Sequence, residues 1–343
     1  MLLTSETDSM ASPNVSPLLR LDQVTKRFVK PLDIAARVAN IFGAGLKEQV
    51  VSAVDSVTLE VCEGEVLGLV GESGCGKSTL GRIAAGILGP TAGRVLVAGH
   101  DLHQLRGNAR RKADLESQMV FQDPMASLNP RMEVDDIIGE APIVHGLISR
   151  NDRKSYVADI MKQVGLDPAV RRRYPHQFSG GQRARIGIAR ALAVRPRILV
   201  CDEATAALDV SIQAQIINLF MQLRSTHRLT YLFISHDLGV VEHVADRVAV
   251  MYLGRVVELT TTTNLFAAPN HPYTRALLSD IPRLEARKRR FSGLKDELPS
   301  PLNPPAGCHF HPRCPFASER CQTERPALRQ IAPAHYSACH LNG

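Results

Sequence analysis

The sequence predicts an α/β fold built around a largely parallel sheet with helices on both faces, and three observations carry that prediction. Short, almost wholly apolar runs bounded by polar residues, Glu65–Val70, Ile198–Cys201 and Tyr231–Ile234, have the character of strands buried on both sides. Runs with helical spacing separate them, such as Ser78–Leu88 and Ser179–Val194; the second carries Ile186, Ile188, Ala189 and Leu192 and ends before Pro196. The first apolar run passes directly into Gly71-Glu72-Ser73-Gly74-Cys75-Gly76-Lys77-Ser78-Thr79, a fit to the phosphate-cradling pattern G-x-x-x-x-G-K-[ST] in strand, loop, helix context. Strands that alternate with helices require crossover connections, and these produce parallel sheets.

The remaining elements follow along the chain. Residues 1–17 hold Ser, Pro and Asn without periodicity and read as a disordered leader. Leu18–Phe28 and Ala53–Val61 alternate with the period of strands, and Val29–Gln49 between them reads as an insertion with a short helix at Leu32–Phe42. Arg94–Ala98 and Met119–Gln122 read as further strands, and Glu133–Val164 as a mostly helical block. Beyond about Thr263 the composition shifts towards Pro, Arg, Cys and His, which sets a boundary there.

A chain of 343 residues is long enough for one large domain with an appendage or for two modest domains. No window approaches the run of about eighteen apolar residues that a spanning helix needs, and Met1–Pro17 lacks the layout of a secretion signal, so the expectation is a cytoplasmic chain. The net charge of +7 and pI of about 9.2 raise nucleic acid or an anionic membrane as partners. The basic clusters Arg171–Arg173 and Lys288–Arg290 are short and not interleaved with aromatic residues, so solvated surface is the expected reading and nucleic acid is not. Of seven cysteines, Cys308, Cys314, Cys321 and Cys339 crowd the last stretch; a disulfide framework is disfavoured in the cytoplasm, and the group points to a metal or iron-sulfur centre or to four reduced, buried thiols.

Several short motifs carry the chemistry. In the glycine-rich loop, backbone N–H groups and a helix N-terminus face phosphate, Lys77 supplies the mobile charge for the β- and γ-phosphates, Ser78 offers a hydroxyl to Mg²⁺, and Thr79 is a neighbouring phosphate contact. Ile198–Cys201 ends in Asp202-Glu203, two carboxylates at the C-terminal edge of a buried strand, where α/β proteins place ligands. Asp202 can serve Mg²⁺ through water and Glu203 can polarise an attacking water. Ser235-His236-Asp237 ends a second such strand, with His236 placed to contact a γ-phosphate, and Gln122 can bridge metal and a moving segment. Phe178-Ser179-Gly180-Gly181-Gln182 is a Ser-Gly-Gly turn opening a helix, a second phosphate-gripping device.

Together these strings resemble the nucleotide-binding subunits of ABC transporters over most of Leu18–Thr262. In that family's terms Gly71–Thr79, with Gly71, Ser73, Gly74 and Gly76, is similar to the Walker A loop, Gln122 to the Q-loop, Ser179–Gln182 to the signature motif, Ile198–Asp202 to the Walker B strand, Ala207-Leu208-Asp209 to the D-loop and His236 to the switch histidine. Glu203 resembles the family's catalytic base, and Phe28 the aromatic that stacks on adenine. The resemblance implies a RecA-like P-loop core with an antiparallel β subdomain and a helical subdomain at about 123–185, the whole spanning 18–262. It implies ATP and Mg²⁺ as ligands, with Mg²⁺ held through Ser78, Gln122 and Asp202, and a dimer in which Ser179, Gly180, Gly181, Gln182 and Asp209 face the partner's ATP. Phe178, Ala204 and Ala207 stand where Leu, Pro and Ser are usual, and none of these departures removes a charge or a phosphate donor.

The last third narrows the class. Asn270–Leu278, Leu298-Pro299-Ser300-Pro301 and Gly307-Cys308-x5-Cys314-Pro315-x5-Cys321 resemble the C-terminal region, here 263–343, of oligopeptide and dipeptide importer ATPases, most of all the F subunit. That resemblance implies a second ATPase subunit, two transmembrane permease subunits and an external binding protein as partners, a peripheral place on the cytoplasmic face of the inner membrane, and di- or oligopeptide cargo, with nickel or another small cargo as the alternative. It also implies a 4Fe-4S cluster on Cys308, Cys314, Cys321 and Cys339, whose spacing is not that of a zinc ribbon. A DNA-maintenance ATPase would need long coiled-coil insertions between Thr79 and Ser179, and a translation-factor ATPase would repeat the motif set; neither occurs.

Overall fold

The computed structural model describes residues 16–32, 40, 42, 45, 48–280 and 298–343. The leader expected over the first seventeen residues and the short helix expected at Leu32–Phe42 fall almost wholly outside these residues. The strands are β1 (Pro17–Lys30), β2 (Gln49–Cys62), β3 (Val66–Val70), β4 (Ala92–Val97), β5 (His100–Asp101), β6 (Ser117–Val120), β7 (Ile198–Asp202), β8 (Thr230–Ile234), β9 (Arg247–Tyr252), β10 (Arg255–Thr261), β11 (Arg329–Ala332) and β12 (His335–Ser337). The helices used below are α1 (Lys77–Ala84), α2 (Val134–Val144), α3 (Arg153–Gln163), α4 (Gly180–Leu192), α5 (Val210–His227), α6 (Leu238–Val244) and α7 (Pro272–Ser279).

Two sheets form. One is antiparallel, in the order β2-β1-β4-β5; the other runs β11-β12-β10-β9-β3-β8-β7-β6 and is parallel from β6 through β9. The parallel strands are the apolar runs of the sequence, and β3, β7 and β8 are buried along their full length. Alternate residues of each serve different cores, because successive side chains of a strand point to opposite faces. Val66, Leu199, Tyr231 and Phe233 pack under helices α2 to α6, whereas Leu67, Leu69, Val200 and Ile234 pack with α1 and the inner face of β1, β2 and β4. Both faces being covered is what permits a parallel sheet here.

The C-terminal region does not hang from this body as an appendage. β12 pairs with β10 and β11 with β12, so the tail lengthens the main sheet. Its anchor is Glu258 of β10, fully buried, whose carboxylate accepts from the backbone N–H groups of Asn270 (2.8 Å) and His271 (2.9 Å) and from His335 Nε2 (2.7 Å). A buried carboxylate is tolerated only when its lone pairs are filled, and here three donors from two tail segments fill them.

His271, 1% exposed, caps α7 by accepting the Tyr273 N–H at Nδ1 (3.1 Å). Burial, partly offset by Glu258, lowers its pKa to about 4, so the imidazole is neutral where its lone pair is needed. The folded value lies below the unfolded value near 6.5, so the unfolded chain takes up the proton first. Stability attributable to this group is therefore intact above about pH 6.5 and falls as pH drops towards 4, by up to about 3 kcal/mol. Denaturant melts across that window should show His271→Asn, which accepts from Tyr273 without titrating, to have a shallower acid dependence than wild type; parallel curves would refute the assignment.

Candidate functional site

The loop between β3 and α1 lies against both sheets. Gly71 has φ +151°, and a Cβ there would sit 2.1 Å from the Met251 carbonyl oxygen of β9; Gly76 has φ +106°, and its Cβ would sit 2.1 Å from the Ala53 carbonyl oxygen of β2. Only glycine fits these two positions, on conformation and on space. The turn after β9 backs the loop, with Gly254 N–H donating to the Cys75 carbonyl (2.8 Å). α1 starts from Gly76 without a side-chain cap, so its first N–H groups point out of the helix end together with the positive end of its dipole. Lys77 is buried, and its Nζ donates to the carbonyls of Gly71 (2.8 Å) and Glu72 (3.0 Å). The result is a cleft of about 240 Å³ lined by Ser73 to Thr79 and also by Gln122 and Glu203.

Both carboxylates come from the end of β7, the second parallel strand from β3 in the sheet, beyond β8. Asp202, the last residue of β7, is 3% exposed and its Oδ1 accepts from Ser78 Oγ (2.8 Å). Burial raises its pKa, against the pull of the Ser78 hydrogen bond and of Arg82 and Lys77. Glu203 follows in the left-handed region, φ +47°, a costly conformation for a residue with a side chain. Its N–H donates to the Ile234 carbonyl (3.0 Å), which fixes the turn, and its Oε2 accepts from Gln122 Nε2 (3.1 Å) and lies 3.2 Å from His236 Nδ1. Thus, within two residues of their ends, β6, β7 and β8 each lead to one member of a three-residue group, Gln122, Glu203 and His236, around a single oxygen. Ser78, Gln122 and Asp202 also border one recess beside the cleft, and their hydroxyl, amide and carboxylate oxygens are the hard donors that suit Mg²⁺.

Ser179, Gly180, Gly181, Gln182 and Asp209 do not line this cleft. Ser179 caps α4 in a reciprocal box, its Oγ accepting from Gln182 N–H (3.3 Å) and its N–H donating to Gln182 Oε1 (3.0 Å). Gly181 packs so closely on Ile212 that a Cβ would meet it at 2.6 Å, which joins the start of α4 to the first turn of α5, just after Asp209. Ser179, Gly180 and Asp209 are exposed. Phe28 is 44% exposed, lies opposite Val51 in the β1–β2 ladder and carries Lys26 Nζ 5.4 Å from its ring centre; Val51 lines the cleft, Phe28 does not.

Sequence reasoning missed the rest of the cleft wall. Val51, Ser52 and Ala53 come from β2, Leu253 and Gly254 from the β9–β10 turn, and Pro301 from the tail. No motif marks them, since they contribute backbone and shape. The Leu298–Pro301 string carried a resemblance in the sequence, but nothing there tied it to the phosphate loop.

The iron-sulfur expectation is corrected. Among the described residues no group of three or more His, Cys, Asp or Glu side chains is placed to hold a metal ion, and Cys308, Cys314, Cys321 and Cys339 are free. Burial pushes the Cys308 thiol up to about 11 and raises Cys314 and Cys339, and the neighbouring sulfurs oppose ionisation further. Spacing along a chain fixes how many thiols a segment holds, not the distance between their sulfurs.

Residues 54–206 match the family model for the ABC transporter, and residues 257–321 that for the oligopeptide/dipeptide transporter C-terminal region. The chain is 52% identical over 295 residues to the oligopeptide transport ATP-binding protein AppF of Bacillus subtilis, covering 85% of this chain and 90% of that one. It is 50% identical over 294 residues to the di/tripeptide transport ATP-binding protein DppF of Pseudomonas aeruginosa, covering 84% and 90%. Among solved structures, the dimeric post-hydrolysis state of the ATP-binding cassette MJ0796 bound to ADP and Pi superposes with a TM-score of 0.60 at 26% identity, over 71% of this chain and 98% of that one. No helix among the described residues is long and apolar enough to cross a membrane. With the phosphate loop, the acidic strand ends and the tail strands all in one architecture, this chain belongs to the oligopeptide/dipeptide-type ATP-binding proteins of the ABC transporter family.

Proposed function

We propose that this chain hydrolyses ATP to energise import of di- or oligopeptides across the bacterial inner membrane, acting from the cytoplasmic face beside two permease subunits and an external binding protein. The observation that carries the ATPase chemistry is the convergence of Gln122 and His236 on Oε2 of Glu203, a residue that lines the same cleft as the phosphate loop. The peptide cargo rests on the names and the extent of the relatives.

In this reading the β- and γ-phosphates of ATP lie over the N-terminus of α1, within reach of the N–H groups of residues 74 to 79. Lys77 exchanges the carbonyls of Gly71 and Glu72 for phosphate oxygens, trading neutral acceptors for charged ones. Mg²⁺, when bound through Ser78, Asp202 and Gln122, neutralises charge on the transferring phosphoryl group. Glu203 orients a water and accepts its proton, and its left-handed backbone turns the carboxylate off the strand direction into the cleft. His236 senses the γ-phosphate from the end of β8. Phe28 is the adenine platform, reached along the β1–β2 ladder past Val51.

The exposed Ser179–Gln182 turn and Asp209 serve a second nucleotide, held by a related ATPase subunit across a dimer interface. Their separation from this chain's own cleft supports that arrangement. Residues 18–262 form the nucleotide-binding unit, with a helical subdomain at about 123–185 in which Gln122 and the following segment, roughly Asp123–His145, transmit the nucleotide state to the permease, and 263–343 form the C-terminal region.

Two outcomes test this reading. Glu203→Gln keeps a hydrogen-bonding group for Gln122 and His236 but no base, so turnover should fall by at least about 100-fold with ATP affinity little changed, and closed dimers should accumulate on gel filtration with ATP; wild-type turnover would exclude Glu203 as base. Ser78→Ala leaves the charges of Lys77 and Asp202 in place. It should raise the Mg²⁺ concentration for half-maximal hydrolysis by roughly tenfold or more, with Mg²⁺-free nucleotide affinity unchanged; an unshifted Mg²⁺ titration would remove Ser78 from the metal site.

A further inference from the structure

At Glu72 the C-terminal region holds the phosphate loop through both backbone and side chain. The Glu72 N–H donates to the hydroxyl of Tyr273 (2.9 Å), at the start of α7. Its carboxylate takes a fork from Arg313: Nη1 reaches Oε1 at 2.9 Å and Oε2 at 3.2 Å, and Nη2 reaches Oε2 at 3.1 Å. The Arg313 side chain is 3% exposed, so this ion pair is largely withdrawn from water. Tyr252, Tyr273 and Phe310 form a cluster of tilted and edge-to-face rings with centres 4.6 to 5.4 Å apart, and Arg313 Nη1 also donates to the Tyr252 hydroxyl (3.4 Å). Further along, Leu298 comes within 4.0 Å of where a Gly74 Cβ would lie, and Pro301 borders the cleft itself.

These contacts matter because of where Glu72 stands. It is the second residue of a loop whose backbone N–H groups face phosphate, and an unpaired carboxylate there would repel the ligand. Arg313 cancels that charge, and the bidentate geometry fixes the orientation of the side chain. Tyr273 removes the Glu72 N–H from the phosphate set and pins the backbone immediately after Gly71, whose carbonyl and that of Glu72 receive Lys77. The tail thereby shapes the loop without touching the reacting atoms.

We propose that the C-terminal region is a brace for the phosphate loop, with Arg313 and Tyr273 as positioning residues that act through Glu72 to set nucleotide affinity. The inference rests on the reading of the cleft as the ATP site. Changes in the tail are thus transmitted to nucleotide binding, with the hydrolytic group at Glu203 left untouched.

The test is steady-state ATPase by the full-length chain assembled with its partner ATPase subunit, together with binding of a fluorescent ATP analogue by the full-length chain. Arg313→Gln should raise the KM for ATP and the analogue Kd about tenfold, with kcat within about twofold. Adding Glu72→Gln removes the stranded carboxylate and should restore most of the affinity, so the double variant should bind better than Arg313→Gln alone. Tyr273→Phe deletes one oxygen, should weaken binding about threefold, and carries the test if Arg313→Gln does not fold. A folded Arg313→Gln or Tyr273→Phe with unchanged KM, or with kcat lowered at constant KM, overturns the brace. Lys77→Ala separates the two readings. If it abolishes analogue binding while the tail variants bind normally, the brace alone fails; if wild type and Lys77→Ala bind equally, the assignment of the cleft fails, and the brace with it.

Discussion

The site depends on how closely the loop after β3 approaches its neighbours. At Gly71 and Gly76 the backbone sits where a single methyl group would collide with carbonyl oxygens of β9 and β2, that is, with one strand from each sheet. The loop is therefore the seam at which the parallel sheet, the antiparallel sheet and the first helix meet. Its own N–H groups face the cleft because its other side is filled by these strands and by the β9–β10 turn. An added Cβ at either glycine would push the loop off that support and displace Lys77 with it.

The carboxylates are placed by the ends of parallel strands. Asp202 and Glu203 are adjacent in sequence and opposite in circumstance. Asp202 still belongs to β7, is buried and is matched to Ser78; Glu203 has left the strand in a left-handed turn and is shared by groups from β6 and β8. Two neighbouring acids thus gain different environments from one backbone turn. The strain of that turn is held by the Glu203 N–H to Ile234 carbonyl bond, which extends the β7–β8 ladder by one step.

The C-terminal region shows how a segment of unpromising composition becomes structural. Its pieces are short and rich in Pro, Cys and His, and Tyr273 and Phe310 are large side chains that they bury in the main core. They are tied down by specific polar contacts: Glu258 to Asn270, His271 and His335, and Glu72 to Tyr273 and Arg313. Both carboxylates come from the nucleotide-binding body, and most of their donors come from the tail. A buried acid with several donors from another segment is a strong registration device, since loss of one partner strands a charge. The thiols that dominate the tail in the sequence are free, and among the described residues no group of three or more His, Cys, Asp or Glu side chains is placed to hold a metal ion.

Although β5, β9 to β12 and the helices α5 and α6 drew no reading from the chain, the buried strands β3, β7 and β8, the phosphate loop and the acidic pair at Asp202-Glu203 were legible in it. Each rests on local information: a fully buried strand is a continuous apolar run, a phosphate loop needs glycine at set positions, and a carboxylate after such a run stands at a sheet edge. The Ser-Gly-Gly-Gln turn was equally legible as a capped helix start, because its capping box is closed within four residues. Only the tertiary structure decided what lies at long range. It put Glu203 Oε2 between Gln122 and His236, kept the Ser179 turn out of this chain's cleft, brought Ala53, Gly254 and Pro301 into the cleft wall, and set Tyr273 and Arg313 on Glu72 from about two hundred residues downstream. It also overruled the iron-sulfur reading of the cysteines. The physical reason is the same throughout: sequence spacing controls direction along a strand or helix, whereas distance across the fold is fixed by packing of elements that share no local pattern.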